Sequence, residues 1–379
     1  TLEIINSLTR YSDLFVFGPE SSLAAGRLGP HSPGAGTSRA NYILSGSVYS
    51  TDEAVRVSAI LVDARTDRSV WSANLDRSLS TTNLLRIQSG IAEQVATAIG
   101  QPYGAVFNLT AAEIASKPAA SLRSYECVVR FRQRWRDYAP EEYSDMRACL
   151  EATIRVDPGY ARAYASLALL DLDTVRFGFG RDQVTVDPLQ QAQDYSRRAL
   201  DIDPTESDAY LALSMAYWFS GDFEASYTAA RHGLLVDPHN TDLMAELGFR
   251  YAFREKWDLS QPLIAEAFAR NPALPSGYRL ANFQYYYMHR DYDRAIYEAQ
   301  QVKARHVVYS YLALAAAYGQ IGDKEKAAAA LAELLKIDPK YGEHATADLL
   351  RRGNSENMTR ALVDGLVKAG LQVPPSTGN

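Results

Sequence analysis

No run in these 379 residues comes near the 18 or so consecutive apolar residues that a membrane-crossing helix needs, and the chain is expected to be soluble as it stands. Basic charge is also lacking: the net charge is -6, with Lys and Arg scattered along the chain. Without a basic stripe there is little counterion release to drive binding to a phosphate backbone, so no direct nucleic acid contact by this portion is expected. The six histidines, His31, His232, His239, His289, His306 and His344, show no metal-ligand spacing, and two cysteines cannot close a zinc site without them. Gly-x-x-x-x-Gly-Lys-Ser/Thr, Gly-x-Ser-x-Gly and a strand-to-helix Gly-x-Gly-x-x-Gly are all missing; Gly34-Ala35-Gly36 reads as a loop. Paired acids such as Glu141-Glu142 fall on expected helices, where solvated faces are far commoner than acid–base sites. No catalytic residue, metal or cofactor is therefore assigned, and the chain is expected not to be an enzyme. It begins at Thr1 without an initiator Met, a basic n-region or an apolar h-region, and is read as a fragment of something longer.

What the chain has is a period. Asp157-Pro158, Asp203-Pro204, Asp237-Pro238, Asn271-Pro272 and Asp338-Pro339 each end an apolar helical run, with prolines separated by 46, 34, 34 and 67 residues. This is a 34-residue step with one 12-residue insertion early and one unmarked boundary near Arg305. Proline stops one helix and fits the first turn of the next. Within the step, Tyr210, Leu213 and Tyr217 precede Gly221-Asp222-Phe223, then Ala230 and Gly233. Met244, Leu247, Gly248, Tyr251, Trp257 and Ala267 repeat the pattern, as do Tyr311, Leu314, Ala315, Tyr318, Gly322-Asp323 and Ala327. These residues resemble the tetratricopeptide repeat, which implies a mainly α, right-handed helical solenoid of about six helical pairs over 119–355, with a C-terminal helix and tail over 356–379. The insertion, Arg176-Phe177-Gly178-Phe179-Gly180-Arg181 through Pro188, reads as a surface loop, with capping or lining the groove as the alternative.

Before about residue 118 the period shifts towards 2. Runs at 42–49, 54–63 and 69–75, separated by Ser50-Thr51-Asp52 and Arg65-Thr66-Asp67, predict an antiparallel meander. A further strand is expected at 13–17, and helices at 2–8 and about 83–99. The stretches Asn41-Tyr42-Ile43-Leu44-Ser45-Gly46-Ser47-Val48, Val55-Arg56-Val57, Leu61-Val62-Asp63-Ala64 and Val70-Trp71 resemble the TolB amino-terminal-like α/β domain of bacterial regulators. The resemblance covers about 1–105, leaving 106–118 as a linker. It implies a module followed by tetratricopeptide repeats and attached to a winged-helix or adenylate-cyclase-type output in a membrane-anchored regulator. Tyr125-Glu126-Cys127 and Ala369-Gly370-Leu371 also look like members of that group. Two departures are an absent opening strand and, where a second helix belongs, Gly29-Pro30-His31-Ser32-Pro33-Gly34-Ala35-Gly36, which cannot form one.

Cys127 and Cys149 lie about 11 residues either side of a turn centred near residue 138, so antiparallel helices place them at one level. A disulfide there is favoured over two buried free thiols, and with it an oxidising compartment, the bacterial periplasm, with the cytoplasm as the alternative. Inner-helix positions Arg162, Asp208, Trp218, Phe249, Phe253, Phe283, Tyr286 and Tyr287 are expected to line a concave groove for a protein or peptide partner, with packing against the next unit as the alternative for any single ring. The resulting expectation is the sensing and interaction portion of a membrane-anchored bacterial regulator, its output domain upstream, with a small-molecule ligand and a homodimer as further options. The alternative is a constitutive assembly scaffold.

Overall fold

The computed structural model describes residues 2–9, 11, 14–18, 40–79, 84–118, 121–183 and 185–374. The chain divides into two compact units, Thr1–Glu113 and Ile114–Asn379.

In the first unit β1 (Tyr42–Ser50), β2 (Ala54–Asp63) and β3 (Arg68–Ser78) form an antiparallel sheet in the order β1-β2-β3. Side chains alternate along β2, so Val55, Ala59 and Leu61 share one face. They belong to one buried cluster with Ile87, Ile91, Val95 and Ile99, the every-fourth-residue stripe of α2 (Leu84–Gly100), and with Leu8 of α1 (Leu2–Leu8). The opposite face of β2 is polar: Arg56 and Ser58 sit directly across from Asp76 and Asn74 of β3 and bond to them. Two expectations need correction. Leu14–Gly18 carries no strand, and Asp13 lies outside the described residues, as does the segment Gly29–Gly36. The linker expected over 106–118 is largely helix, α3 (Ala105–Ile114), because no Gly or Pro interrupts the chain before Pro118.

The second unit is built of helical pairs, a tetratricopeptide-type solenoid, and no strand lies beyond Ser78 among the described residues. The pairs are α4 (Ser124–Asp137) with α5 (Tyr143–Val156), α6 (Ala161–Phe177) with α7 (Pro188–Ile202), α8 (Ser207–Phe219) with α9 (Phe223–Val236), and α10 (Thr241–Phe253) with α11 (Trp257–Arg270). They continue with α12 (Leu280–Met288) and α13 (Tyr292–Gln300), α14 (Val308–Ile321) and α15 (Lys324–Ile337), and a seventh pair, α16 (Tyr341–Arg351) and α17 (Glu356–Lys368). The Asx-Pro marks have one shared geometry. Asp157, Asp203, Asp237, Asn271 and Asp338 each accept, through Oδ1, the backbone N–H two residues on, at 2.8–3.2 Å. The side chain thus holds the turn that the proline opens. Within pairs, Asp222, Asp291 and Asp323 cap the second helix by accepting from its third residue. Gly221 and Gly322 supply the left-handed residue just before two of these caps. Cys127 of α4 and Cys149 of α5 are joined by a disulfide, with Cα atoms 5.8 Å apart.

Candidate functional site

The first helix of each pair forms the concave side of the solenoid, and that side is closed by the chain itself. Arg351 and Arg352 end α16, and the turn Gly353-Asn354-Ser355 leads into α17, giving a hairpin whose tip crosses the C-terminal ends of α6, α8 and α10 and reaches α12. Helix C-termini carry carbonyls with no partner in their own helix, and here the hairpin satisfies them. Arg351 Nη1 donates to Val175 O at 3.3 Å and Arg352 Nη2 to Arg176 O at 2.7 Å, while the Ser355 N–H donates to Phe253 O at 2.9 Å. In return Trp218 Nε1 donates to Arg352 O at 2.7 Å, and Tyr287 Oη to Ala361 O at 2.8 Å. Gly353 has φ 89°, and a Cβ there would lie 2.3 Å from the Trp218 ring, so only glycine permits this approach. The hairpin's base is held by charge. The Arg352 guanidinium lies 4.0 Å from the Tyr309 ring centre and pairs with Asp348, whose carboxyl also accepts from Tyr309 Oη at 2.7 Å. Burial pushes the Asp348 carboxyl up, but Arg352, the Tyr309 hydroxyl and Arg351 together hold it at about 2.

Beneath the hairpin lies a cavity that opens to solvent, with about 780 Å³ of atom-free space when the solvent at its mouth is counted. Phe177, Phe249, Phe253 and Phe283 wall it, with Arg352 and Asn354 of the hairpin at its margin. The groove expected from the sequence is therefore corrected in part. Trp218, Phe249, Phe253, Phe283 and Tyr287 do gather on the concave side, but all five are buried, under or against the last hairpin, rather than exposed as a peptide-binding strip. Tyr286 stands apart, half-buried beside Tyr285 and Arg294. Arg162 and Asp208 lie in a buried ion network: Arg162 Nε is 3.0 Å from Glu206, and Asp208 pairs with Arg132 and accepts from Asn240. Burial raises the Asp208 carboxyl, yet Arg132 and Arg162 hold it at about 2; Asp242, only 3.8 Å from Arg132 but without a hydrogen bond, is driven by burial up to about 7.

Sequence reasoning missed Arg250, Tyr278, Gln284, Arg352 and Asn354, which all line the cavity. A signal for one was present, since Arg250 interrupts an otherwise apolar inner-helix run, Leu247-Gly248-Phe249-Arg250-Tyr251-Ala252-Phe253. The insertion read as a surface loop also contributes here, Arg176 and Phe177 through the cavity wall and Phe179 through the core.

Comparison with known proteins fits the pairing of α8 with α9 and of α14 with α15: the tetratricopeptide repeat family model matches residues 207–240 and 308–341. Those two stretches are tetratricopeptide repeats. A protein named putative adenylate cyclase 3 of Rhizobium meliloti (strain 1021) is 28% identical over 221 residues, covering 57% of this chain and 36% of its own length. This chain thus matches about a third of that relative. Among solved structures, Pseudomonas aeruginosa pilF is 16% identical with a TM-score of 0.38, covering 57% of this chain and 94% of that one. A tetratricopeptide repeat protein from Parabacteroides merdae ATCC 43184 is 12% identical with a TM-score of 0.39, covering 74% of this chain and 94% of that one.

Proposed function

We propose that this chain is the non-catalytic sensing and protein-interaction portion of a bacterial signalling protein. The observation that carries the reading is the closed concave side: a tetratricopeptide solenoid whose inner-helix ends are bridged by its own last hairpin over an aromatic and arginine-lined cavity. A segment that docks through a few carbonyl contacts and one tryptophan can change its occupancy when something binds the cavity or competes for those contacts, and only such differential affinity shifts an equilibrium. Partners of the repeats would be proteins or peptides, as is usual for solenoids of this kind. The similarity to a protein named as a putative adenylate cyclase supports an output domain beyond these residues and a place in signalling. The Cys127–Cys149 bond supports an oxidising compartment, the bacterial periplasm, and with it a membrane anchor between sensor and output.

A constitutive scaffold is the second reading. It is favoured by how many helix ends the hairpin ties together, which would make one rigid body. The test is to loosen the hairpin by Trp218→Phe, which removes the Nε1–H donor, in the full-length protein, and to follow both its output activity and partner capture. Sensing predicts a changed output with the partner retained. Unchanged output with lost partner capture favours the scaffold, and substrate turnover by residues 1–379 alone would overturn the non-catalytic reading.

A further inference from the structure

The cavity beneath the last hairpin holds three polar groups that the protein leaves incomplete. Tyr278 Oη has no hydrogen-bond partner although the residue is 3% exposed, and burial together with the Glu246 and Asp242 carboxylates keeps its phenol protonated well above its ordinary value. Gln284, 6% exposed, donates to Asn354 Oδ1 at 3.4 Å, and its Oε1 is unpaired; whichever way the amide is turned, one end lacks a partner. Arg176 Nη1 makes no hydrogen bond, and its carboxylate, Asp173, lies 3.6 Å away and is shared with Arg134 at 3.2 Å. The other two guanidiniums at the cavity have carboxylates of their own, Arg250 with Glu246 and Arg352 with Asp348. Two guanidiniums, Arg134 and Arg176, thus share the one carboxylate of Asp173, and the next acids to act on this part of the cavity are Glu246 and Asp242.

Unpaired buried donors and acceptors cost about 1–3 kcal/mol each, and native proteins retain them where something else completes them. We propose that this cavity binds a small aromatic monocarboxylate. Its carboxylate would accept from Arg176 Nη1 and Tyr278 Oη, the two donors left without a hydrogen bond, and give the Arg134–Arg176 pair a second carboxylate. A hydroxyl or N–H at the far end would complete Gln284. The ring would lie among Phe177, Phe249, Phe253 and Phe283, whose faces and edges favour aromatic neighbours. A phosphate would leave the rings uncovered. With Arg352 and Asn354 at its margin, the hairpin is the lid of this site.

The proposal deepens the sensing reading above and rests on it only for the consequence of binding. The test is calorimetric titration of the protein with 3-(4-hydroxyphenyl)propanoate and, as the neutral control, its primary amide. Saturable binding of one acid per chain is expected, with the amide about 10- to 100-fold weaker, as for loss of a hydrogen bond to a charged group. Arg176→Gln should abolish the preference for the acid; it keeps the Arg352 contact, which uses the backbone carbonyl of residue 176, and leaves Asp173 its pair with Arg134. Ala304→Leu, which narrows the cavity from a loop position, should weaken both probes. No acid binding, or equal binding of acid and amide in every variant, overturns the site. Binding that leaves the full-length output unchanged supports the site and sinks the sensing reading, so the two fail separately.

Discussion

The sheet of the first unit and the solenoid of the second manage their unpaired surfaces in different ways. The sheet has one covered face and one wet one, and at the end of β1 Val48 and Tyr49 remain 67% and 68% exposed. In the solenoid each pair covers the next, and the pair α16–α17 folds its tip back onto four earlier inner helices. The Trp218–Arg352 and Arg352–Arg176 bonds span 134 and 176 residues of sequence. Repeat arrays are ordinarily stabilised by neighbours alone, so their ends fray first. Here the last pair is tied to the middle of the array, which makes second-unit stability less local than repeat architecture implies.

The largest expected effect breaks that tie. Trp218→Ala removes a fully buried indole that packs on Gly353 and anchors Arg352, and should destabilise the second unit by about 3–5 kcal/mol. Hydrogen exchange should rise across 341–368 as well as 207–236, with the sheet amides unchanged. Protection lost only in 207–236 would mean that the hairpin is held by its neighbours and that the long-range bonds add little.

Next in size is the staple at the other end. Reduction, or Cys127→Ser, should cost about 3 kcal/mol by the chain-entropy relation for a loop of this size and should loosen α4 and α5 first. Limited proteolysis near residue 138 with and without reductant checks it. Equal cleavage would show that packing of Phe131, Met146 and Leu150, all fully buried, suffices.

What was legible in the sequence follows the range of the interactions. The three strands and the pairing of helices were readable because turn chemistry is local. Asx-Pro turns, Asp caps and glycine in the left-handed position are each decided within four residues, and even the unmarked boundary near Arg305 falls in the loop between Gln300 and Val308. The cysteine pair was readable because equal distance from one turn is also nearly local. The closed groove was not, since the 3.6-residue period tells that Phe249 and Phe253 face inwards but not which segment covers them. The same gap explains Arg162 and Asp208: charges on an inner helix suggest a peptide site, whereas here Arg132 and Glu206 neutralise them internally.

That internal network sets the next prediction. Asp242 has a folded-state value of about 7, far above the ordinary 3.9 or so of an unfolded aspartate, so the folded state binds more protons between those limits. Its contribution is therefore fully favourable below about pH 4, and is lost as pH rises towards 7. Asp208, held at about 2, has the opposite sign: its contribution is present above about pH 4 and lost only in strong acid. Asp242→Asn should accordingly raise the urea midpoint at pH 8 and leave it nearly unchanged at pH 4. A gain at both values would mean that packing, not charge, is responsible.

The smallest effect belongs to the sheet and sharpens the contrast in how the two regions use ion pairs. Arg56 and Asp76 meet across β2 and β3 with two hydrogen bonds, at 2.6 and 2.8 Å, a better geometry than most pairs in the solenoid. Both side chains are, however, more than half exposed, and the hydrogen bond that draws the Asp76 carboxyl down exchanges with water on unfolding. Good geometry in water contributes little, because solvent screens the attraction and both side chains lose rotamer freedom. Arg56→Ala should therefore leave the melting of the first unit unchanged within error, at low salt and high. The neighbouring core position is the control: Leu61→Ala, on the covered face of the same strand, should lower it measurably. If Arg56→Ala proves as harmful as Leu61→Ala, the wet face of this sheet is structural after all, and the distinction between a one-faced sheet and a closed solenoid loses its energetic basis.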